Sequence, residues 1–191
     1  MKMNKSNCEK AEMLVEVLPY VNRFRDKIIV IKYGGNAMIN EDLKKAVMQD
    51  LLLMKSVGMH PILVHGGGPA INDMLKKLKV ESHFEQGLRV TDKETMEIVE
   101  MVLAGKVNKD IVGTLNQIGG KGIGLSGKDG NLIQARKKYL EKNGKKIDIG
   151  YVGEVEAVNK EMLESLIYSG YIPVISSIGM GKDGMSYNIN A

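Results

Sequence analysis

The chain has 191 residues, 43% hydrophobic and 26% charged, with 27 Lys+Arg against 23 Asp+Glu for a formal net charge of +4. A chain of this size and composition buries a full core without metal or disulfide staples, which excludes intrinsic disorder and a disulfide miniprotein. The single cysteine, Cys8, excludes an internal disulfide, and the longest apolar runs, such as Ile28 to Ile31, fall far short of the ~20 residues that span a membrane, so a cytoplasmic protein without membrane contact is expected.

Taken in chain order, residues 9–24 place Met13, Leu14, Val17, Leu18 and Val21 at helical spacing, and Pro19 is expected to kink that helix or end it at Leu18. Lys27 to Tyr33 is a short β-branched run of the kind buried on both faces of a parallel sheet, closed by Gly34-Gly35. A helix is predicted over 41–57, a strand over Pro61 to His65, and a helix from about Ala70 to Lys79 after Gly66-Gly-Gly-Pro69. Strand, glycine turn and helix, repeated, is the pattern of βαβ units. Thr91-Asp-Lys-Glu94 has the form of a capping box opening a helix to about Leu103, with a further helix from Lys106 to Ile118. Residues 121–126 and 131–136 flank a Lys-Asp-Gly turn that reads as a hairpin, and 145–158, alternating around Gly150 and Gly153, reads as a second. Asn159 caps a helix to Ser169, and Tyr171 to Ser176 is another buried strand. The expected architecture is α/β: a three-layer αβα sandwich with a mostly parallel sheet plus β-hairpins.

In open α/β sheets ligands bind beyond the carboxyl ends of the strands, where Gly34-Gly35 and the Gly66–Gly68 turn both fall. Consecutive glycines allow close backbone approach, and their N–H groups together with a helix N-terminus make an anion nest. A plain strand-to-helix turn needs only one glycine, so the triple glycine sealed by Pro69 points to an anion. Lys32 reads either as a solvated strand-end lysine or as a cation aimed at that anion, because an ammonium in an apolar strand must escape or find a partner. Arg89, in Gly87-Leu-Arg-Val-Thr91, reads either as a surface arginine or as a bidentate carboxylate clamp.

Other motifs fail. The dinucleotide fingerprint begun at Gly66 meets Ile71 where its last glycine belongs, and Gly122 to Lys128 matches a P-loop until Asp129 replaces the required Ser or Thr. His60, His65, His83 and Cys8 lack metal-ligand spacing, so no protein metal site is expected. The lysine pairs at 76–77, 137–138 and 145–146 lack interleaved aromatics, and no nucleic-acid partner is expected.

Ile31-Lys-Tyr-Gly-Gly-Asn-Ala37, Val64-His-Gly-Gly-Gly-Pro69, Gly87-Leu-Arg-Val-Thr91, Gly150-Tyr-Val-Gly-Glu154, Pro173-Val-Ile-Ser-Ser-Ile-Gly179 and Tyr187-Asn-Ile-Asn-Ala191 occur in order along nearly the whole chain. Together they resemble the amino acid kinase family, specifically its branch that phosphorylates the side-chain carboxylate of N-acetyl-L-glutamate with ATP in arginine biosynthesis. The resemblance implies that Lys32 stabilises the transferring phosphoryl group, Gly34 and Gly35 hold it through their N–H groups, Gly67 and Gly68 bind the acceptor carboxylate, and Arg89 and Asn188 fix the α-carboxylate and acetamido end. It implies ATP with nucleotide-carried Mg2+, a 145–158 lid, homodimers, and hexamers joined by an N-terminal extension that borders an L-arginine effector site.

The family pattern also sets expectations for the domains: 1–26 as a helical extension and 27–191 as the substrate-binding N-lobe. In the family an aspartate and a nucleotide-binding lobe follow the segment matching Asn188 to Ala191, and the expectation is that this C-terminal lobe is missing here. Ending after the 171–176 strand is then expected to leave an uncovered sheet edge. The alternative readings are a non-catalytic substrate-binding, dimerising fragment and a sister kinase acting on another carboxylate.

Overall fold

The computed structural model describes residues 6–142 and 144–191; residues 1–5 of the expected 1–26 extension lie outside the described residues. A four-stranded all-parallel sheet carries β1 (Ile28–Tyr33), β2 (His60–His65), β8 (Ile172–Ser176) and β5 (Gly122–Ser126), in the spatial order β1-β2-β8-β5. The alternation of each strand divides its side chains between two cores. Leu63, Ile172 and Val174 pack beneath α2 (Glu41–Ser56), α3 (Gly68–Leu78), α4 (Lys93–Glu100) and α5 (Asn108–Gln117). Ile62, Leu125 and Ile175 pack beneath α6 (Lys160–Tyr168). This is the expected αβα layering. Beside it, β6 (Ile133–Lys142), β7 (Lys145–Val158), β9 (Ile178–Met180) and β10 (Ser186–Ile189) close on one another as a small barrel, and β3 (Phe84–Glu85) pairs with β4 (Leu88–Arg89).

Several local expectations are corrected. Helix α1 (Asn7–Phe24) runs through Pro19, so of the two outcomes expected there the ending at Leu18 falls. Its start is fixed by a capping box between Ser6 and Glu9, and none of its residues is buried. β1 lies at the edge of the sheet and is not buried on both faces: Val30 is 64% exposed. β8 lies inside the sheet between β2 and β5, so the 171–176 strand leaves no edge.

Neither predicted hairpin forms as drawn. β5 pairs in parallel with β8, while β6 leaves for the barrel and forms a single long hairpin with β7. Asp129 explains the first departure: its carboxylate accepts from the Ser126 backbone N–H (2.6 Å) and hydroxyl (3.0 Å), and Gly130 then adopts φ +56°.

The helix over 91–118 also differs from expectation. Thr91 does not cap it, because its backbone bridges Gly150 and its hydroxyl donates to the Arg89 carbonyl (2.9 Å). Asp92 caps instead, accepting from the Thr95 N–H at 2.8 Å. α4 and α5 are joined without a break by a wider π-helical stretch, Met101–Val107, whose flanking residues keep helical dihedral angles.

Candidate active site

Tyr33 and His65, the last residues of β1 and β2, are register partners, so both glycine loops leave the same end of the sheet side by side. The Gly66 N–H donates to the Tyr33 carbonyl at 3.2 Å, tying one loop to the other. α3 starts at Gly68 with Pro69 in its first turn, where a missing N–H removes nothing the helix uses. No side chain caps the start of α3 among the described residues, so its first N–H groups stand uncapped at the positive end of its dipole. Gly67 is required sterically. A Cβ there would lie 2.5 Å from Leu103 Cδ2 and 3.4 Å from Val107 Cγ2, on the π-helical stretch below. Gly67→Ala is expected to cost about 1–3 kcal/mol, the range for overpacking. Thermal melting checks this, and an unchanged midpoint would show that the stretch yields freely.

The loops form one wall of an open cavity of about 330 Å3. It collects every residue the sequence singled out: Lys32, Gly34, Gly35, Gly67, Gly68, Arg89 and Asn188. Lys32 is exposed and has no ion pair among the described residues. Asn188 lies on β10, in register with Val152 of β7 on one side and Ile178 of β9 on the other. β10 is tethered by Glu100, whose carboxylate accepts from the Ser186 hydroxyl (2.6 Å) and from Lys128 Nζ (2.8 Å). Burial is the largest influence on Glu100 and acts to raise its pKa, but these two donors together hold it below the usual carboxylate value. Of residues 145–158, Val152 lines the cavity.

Arg89 is 6% exposed, which removes the surface-arginine reading. Its Nη1 donates to Ser82 Oγ and its Nη2 to Asn72 Oδ1 (2.5 Å), and the guanidinium lies 4.7 Å from the centroid of the Phe84 ring. No carboxylate pairs with it among the described residues, and burial pushes its pKa down. A buried cation held flat by neutral partners, facing a cavity, leaves its remaining N–H groups and its whole charge to whatever enters.

His65 is fully buried, and burial holds its pKa below the ordinary 6.5, outweighing a backbone hydrogen bond that acts the other way. As pH falls below about 6.5 the unfolded chain takes up a proton that the folded chain refuses, so stability falls with acidification. The melting temperature is expected to drop between pH 8 and pH 5.5. His65→Asn is expected to flatten that slope, and an unchanged slope would remove His65 from the account.

The sequence profile of the amino acid kinase family matches residues 27–191. The chain belongs to the amino acid kinase family. It is 62% identical to the acetylglutamate kinase of Caldicellulosiruptor bescii over 183 residues, covering 96% of this chain and 62% of that one. It is 58% identical to the acetylglutamate kinase of Moorella thermoacetica over 193 residues, covering 99% of this chain and 65% of that one. The chain thus spans less than two thirds of the length of these curated relatives. Among solved structures, smu.665 from Streptococcus mutans is 34% identical with a TM-score of 0.73, over 86% of this chain and 64% of that one. The N-acetylglutamate synthase of Neisseria gonorrhoeae, at 21% identity and a TM-score of 0.78 over 97% of this chain and 41% of that one, shares the fold.

Within this amino acid kinase fold, sequence reading missed the residues that hold the cavity's polar groups in place: Asn72 and Ser82 behind Arg89, and Asn108 behind His65. Asn108 left a trace. With Ile111, Val112 and Leu115 it forms an i, i+3, i+4, i+7 helical stripe, of which it is the one polar member.

Proposed function

We propose that residues 27–191 are the acceptor-binding lobe of an ATP-dependent kinase that phosphorylates the side-chain carboxylate of N-acetyl-L-glutamate. The observation that carries this reading is the convergence on one cavity of three anion-receptive features: the buried guanidinium of Arg89, which has no ion-pair partner among the described residues, the two glycine loops with the uncapped start of α3, and Lys32. The acetylglutamate kinases at 62% and 58% identity support the choice of substrate.

Gly67 and Gly68 donate to the reacting carboxylate, while Arg89 and Asn188 hold the α-carboxylate and the acetamido group. A carboxylate oxygen attacks the γ-phosphorus of ATP in line. The new C–O–P link forms as the bond from phosphorus to the bridging oxygen breaks, giving an acyl phosphate and ADP. The attacking group is already ionised near neutral pH, so no general base is needed. The barrier is repulsion between two anions and charge growing on the phosphoryl oxygens, which Lys32 and the N–H groups of Gly34 and Gly35 offset. Mg2+ arrives with the nucleotide.

The reading places the protein in the cytoplasm, in homodimers, with residues 1–26 as an extension that joins dimers into hexamers beside an L-arginine effector site. It is supported there by α1, whose Leu14 and Val15 are 72% and 65% exposed. The test is trapping of the acyl phosphate with hydroxylamine in the presence of MgATP. Hydroxamate should form with N-acetyl-L-glutamate, and its absence, with turnover of another carboxylate, would overturn the substrate assignment. Titration with L-arginine should inhibit, and unaltered turnover would remove the effector site.

A further inference from the structure

His65 and Asn108 take no part in the chemistry above, yet both are fully buried directly under the glycine loop. His65 Nδ1 lies 2.8 Å from the carbonyl oxygen of the next residue, Gly66, and Nε2 lies 3.0 Å from Asn108 Nδ2. A carbonyl only accepts, so Nδ1 carries the proton and Nε2 accepts from the Asn108 amide. The second hydrogen of that amide goes to the Val174 carbonyl (2.9 Å), and Asn108 Oδ1 accepts from Lys109 Nζ (3.2 Å). Asn108 thereby fixes the ring from the centre of the sheet. Room for it is made by Gly124, where a Cβ would lie 1.9 Å from Asn108 Oδ1.

The consequence follows from the planar trans peptide. The Gly66 carbonyl and the Gly67 N–H belong to one rigid unit and point in opposite directions. A carbonyl held down by the buried ring turns the Gly67 N–H away from the core. With glycine on both sides this peptide has unusually low barriers to rotation, so its orientation needs an outside constraint. The Gly66 N–H, bound to the Tyr33 carbonyl, fixes the preceding peptide and leaves this one to His65.

We propose that His65 is a positioning residue that locks the Gly66–Gly67 peptide so that the Gly67 N–H faces the cavity as an anion donor, with Asn108 setting which ring nitrogen carries the proton. The proposal rests on the reading of Gly67 as part of the acceptor-carboxylate cradle, and it deepens that reading.

Two substitutions separate the ring's two contacts. His65→Asn keeps a donor at the Nδ1 position and loses the reach to Asn108. His65→Gln keeps the reach to Asn108 and loses the donor to Gly66. Both, with His65→Leu, are made in the whole enzyme and followed by KM and kcat for N-acetyl-L-glutamate, by melting temperature, and by the amide resonance of Gly67 in the unliganded protein. His65→Gln and His65→Leu should raise KM about ten-fold or more, the loss of one hydrogen bond to a charged group, and shift the Gly67 resonance. His65→Asn should stay within about two-fold and keep that resonance. A wild-type KM and Gly67 resonance in His65→Gln, or a His65→Asn as impaired as His65→Leu, would overturn the proposal in favour of simple packing. Should the unaltered enzyme not phosphorylate N-acetyl-L-glutamate, the substrate reading falls. The Gly67 resonance then decides alone: a shift in His65→Gln but not in His65→Asn sustains the lock, and any other pattern ends it.

Discussion

Lys32→Ala is expected to lower turnover by about 10²–10³, the cost of losing one preorganised electrostatic donor, or about 2.7–4 kcal/mol. The effect should fall on kcat, because the ammonium answers charge that develops only as the phosphoryl group transfers. Stability should barely change. Lys32 is exposed at the open end of edge strand β1 and makes no ion pair among the described residues, so its removal strands no partner. Steady-state kinetics with both substrates saturating, beside a thermal melt, tests both halves. A variant with full kcat would take Lys32 out of the transition state.

Replacing Arg89 should produce the opposite division. In Arg89→Met, KM for N-acetyl-L-glutamate is expected to rise about 30-fold or more, since truncating one partner of a buried charge pair costs at least about 2 kcal/mol. The unliganded protein should be as stable as before or more so, because an uncompensated buried guanidinium costs desolvation that methionine does not. Arg89→Lys should fail to restore affinity. A single ammonium cannot donate to Ser82 and Asn72 at once and still present a planar fork to the cavity. A KM within about three-fold of the unaltered value in Arg89→Met would mean that another group holds the α-carboxylate.

These two residues mark how far the sequence reaches. Lys32 ends a β-branched run just before two glycines, so its place at the mouth of a parallel sheet follows from local pattern. The burial of Arg89 does not. It depends on Asn72 from α3, on Ser82, and on the Phe84 ring, brought together when the short β3–β4 pair folds back. Ser82 and Phe84 lie within seven residues of Arg89, but Asn72 lies 17 away, and the local sequence does not say that the three meet: a lone arginine between Leu88 and Val90 is equally consistent with a surface position.

The misread elements share a cause. Lys128-Asp129-Gly130 has the chemistry of a hairpin turn, and it does turn the chain. What lies on either side was decided by partners about 50 residues away for β5, which pairs with β8. Thr91 and Glu94 have the spacing of a capping box, but the Gly150 region claims the Thr91 backbone and Asp92 takes over the cap.

By itself the sequence determined the alternation of apolar strands and helices, the glycine-rich exits of β1 and β2, and, through six segments in order, the family. Those are properties of short stretches, set by backbone stereochemistry and side-chain period. The tertiary structure alone decided that β8 is central, that Arg89 is buried without a counter-charge among the described residues, and that Asn108, 43 residues from His65 in sequence, lies 3.0 Å from its ring. Hydrogen bonds and desolvation act across space and carry no memory of chain distance. The orientation of a single glycine peptide was therefore written into the packing of a helix, a strand and a loop.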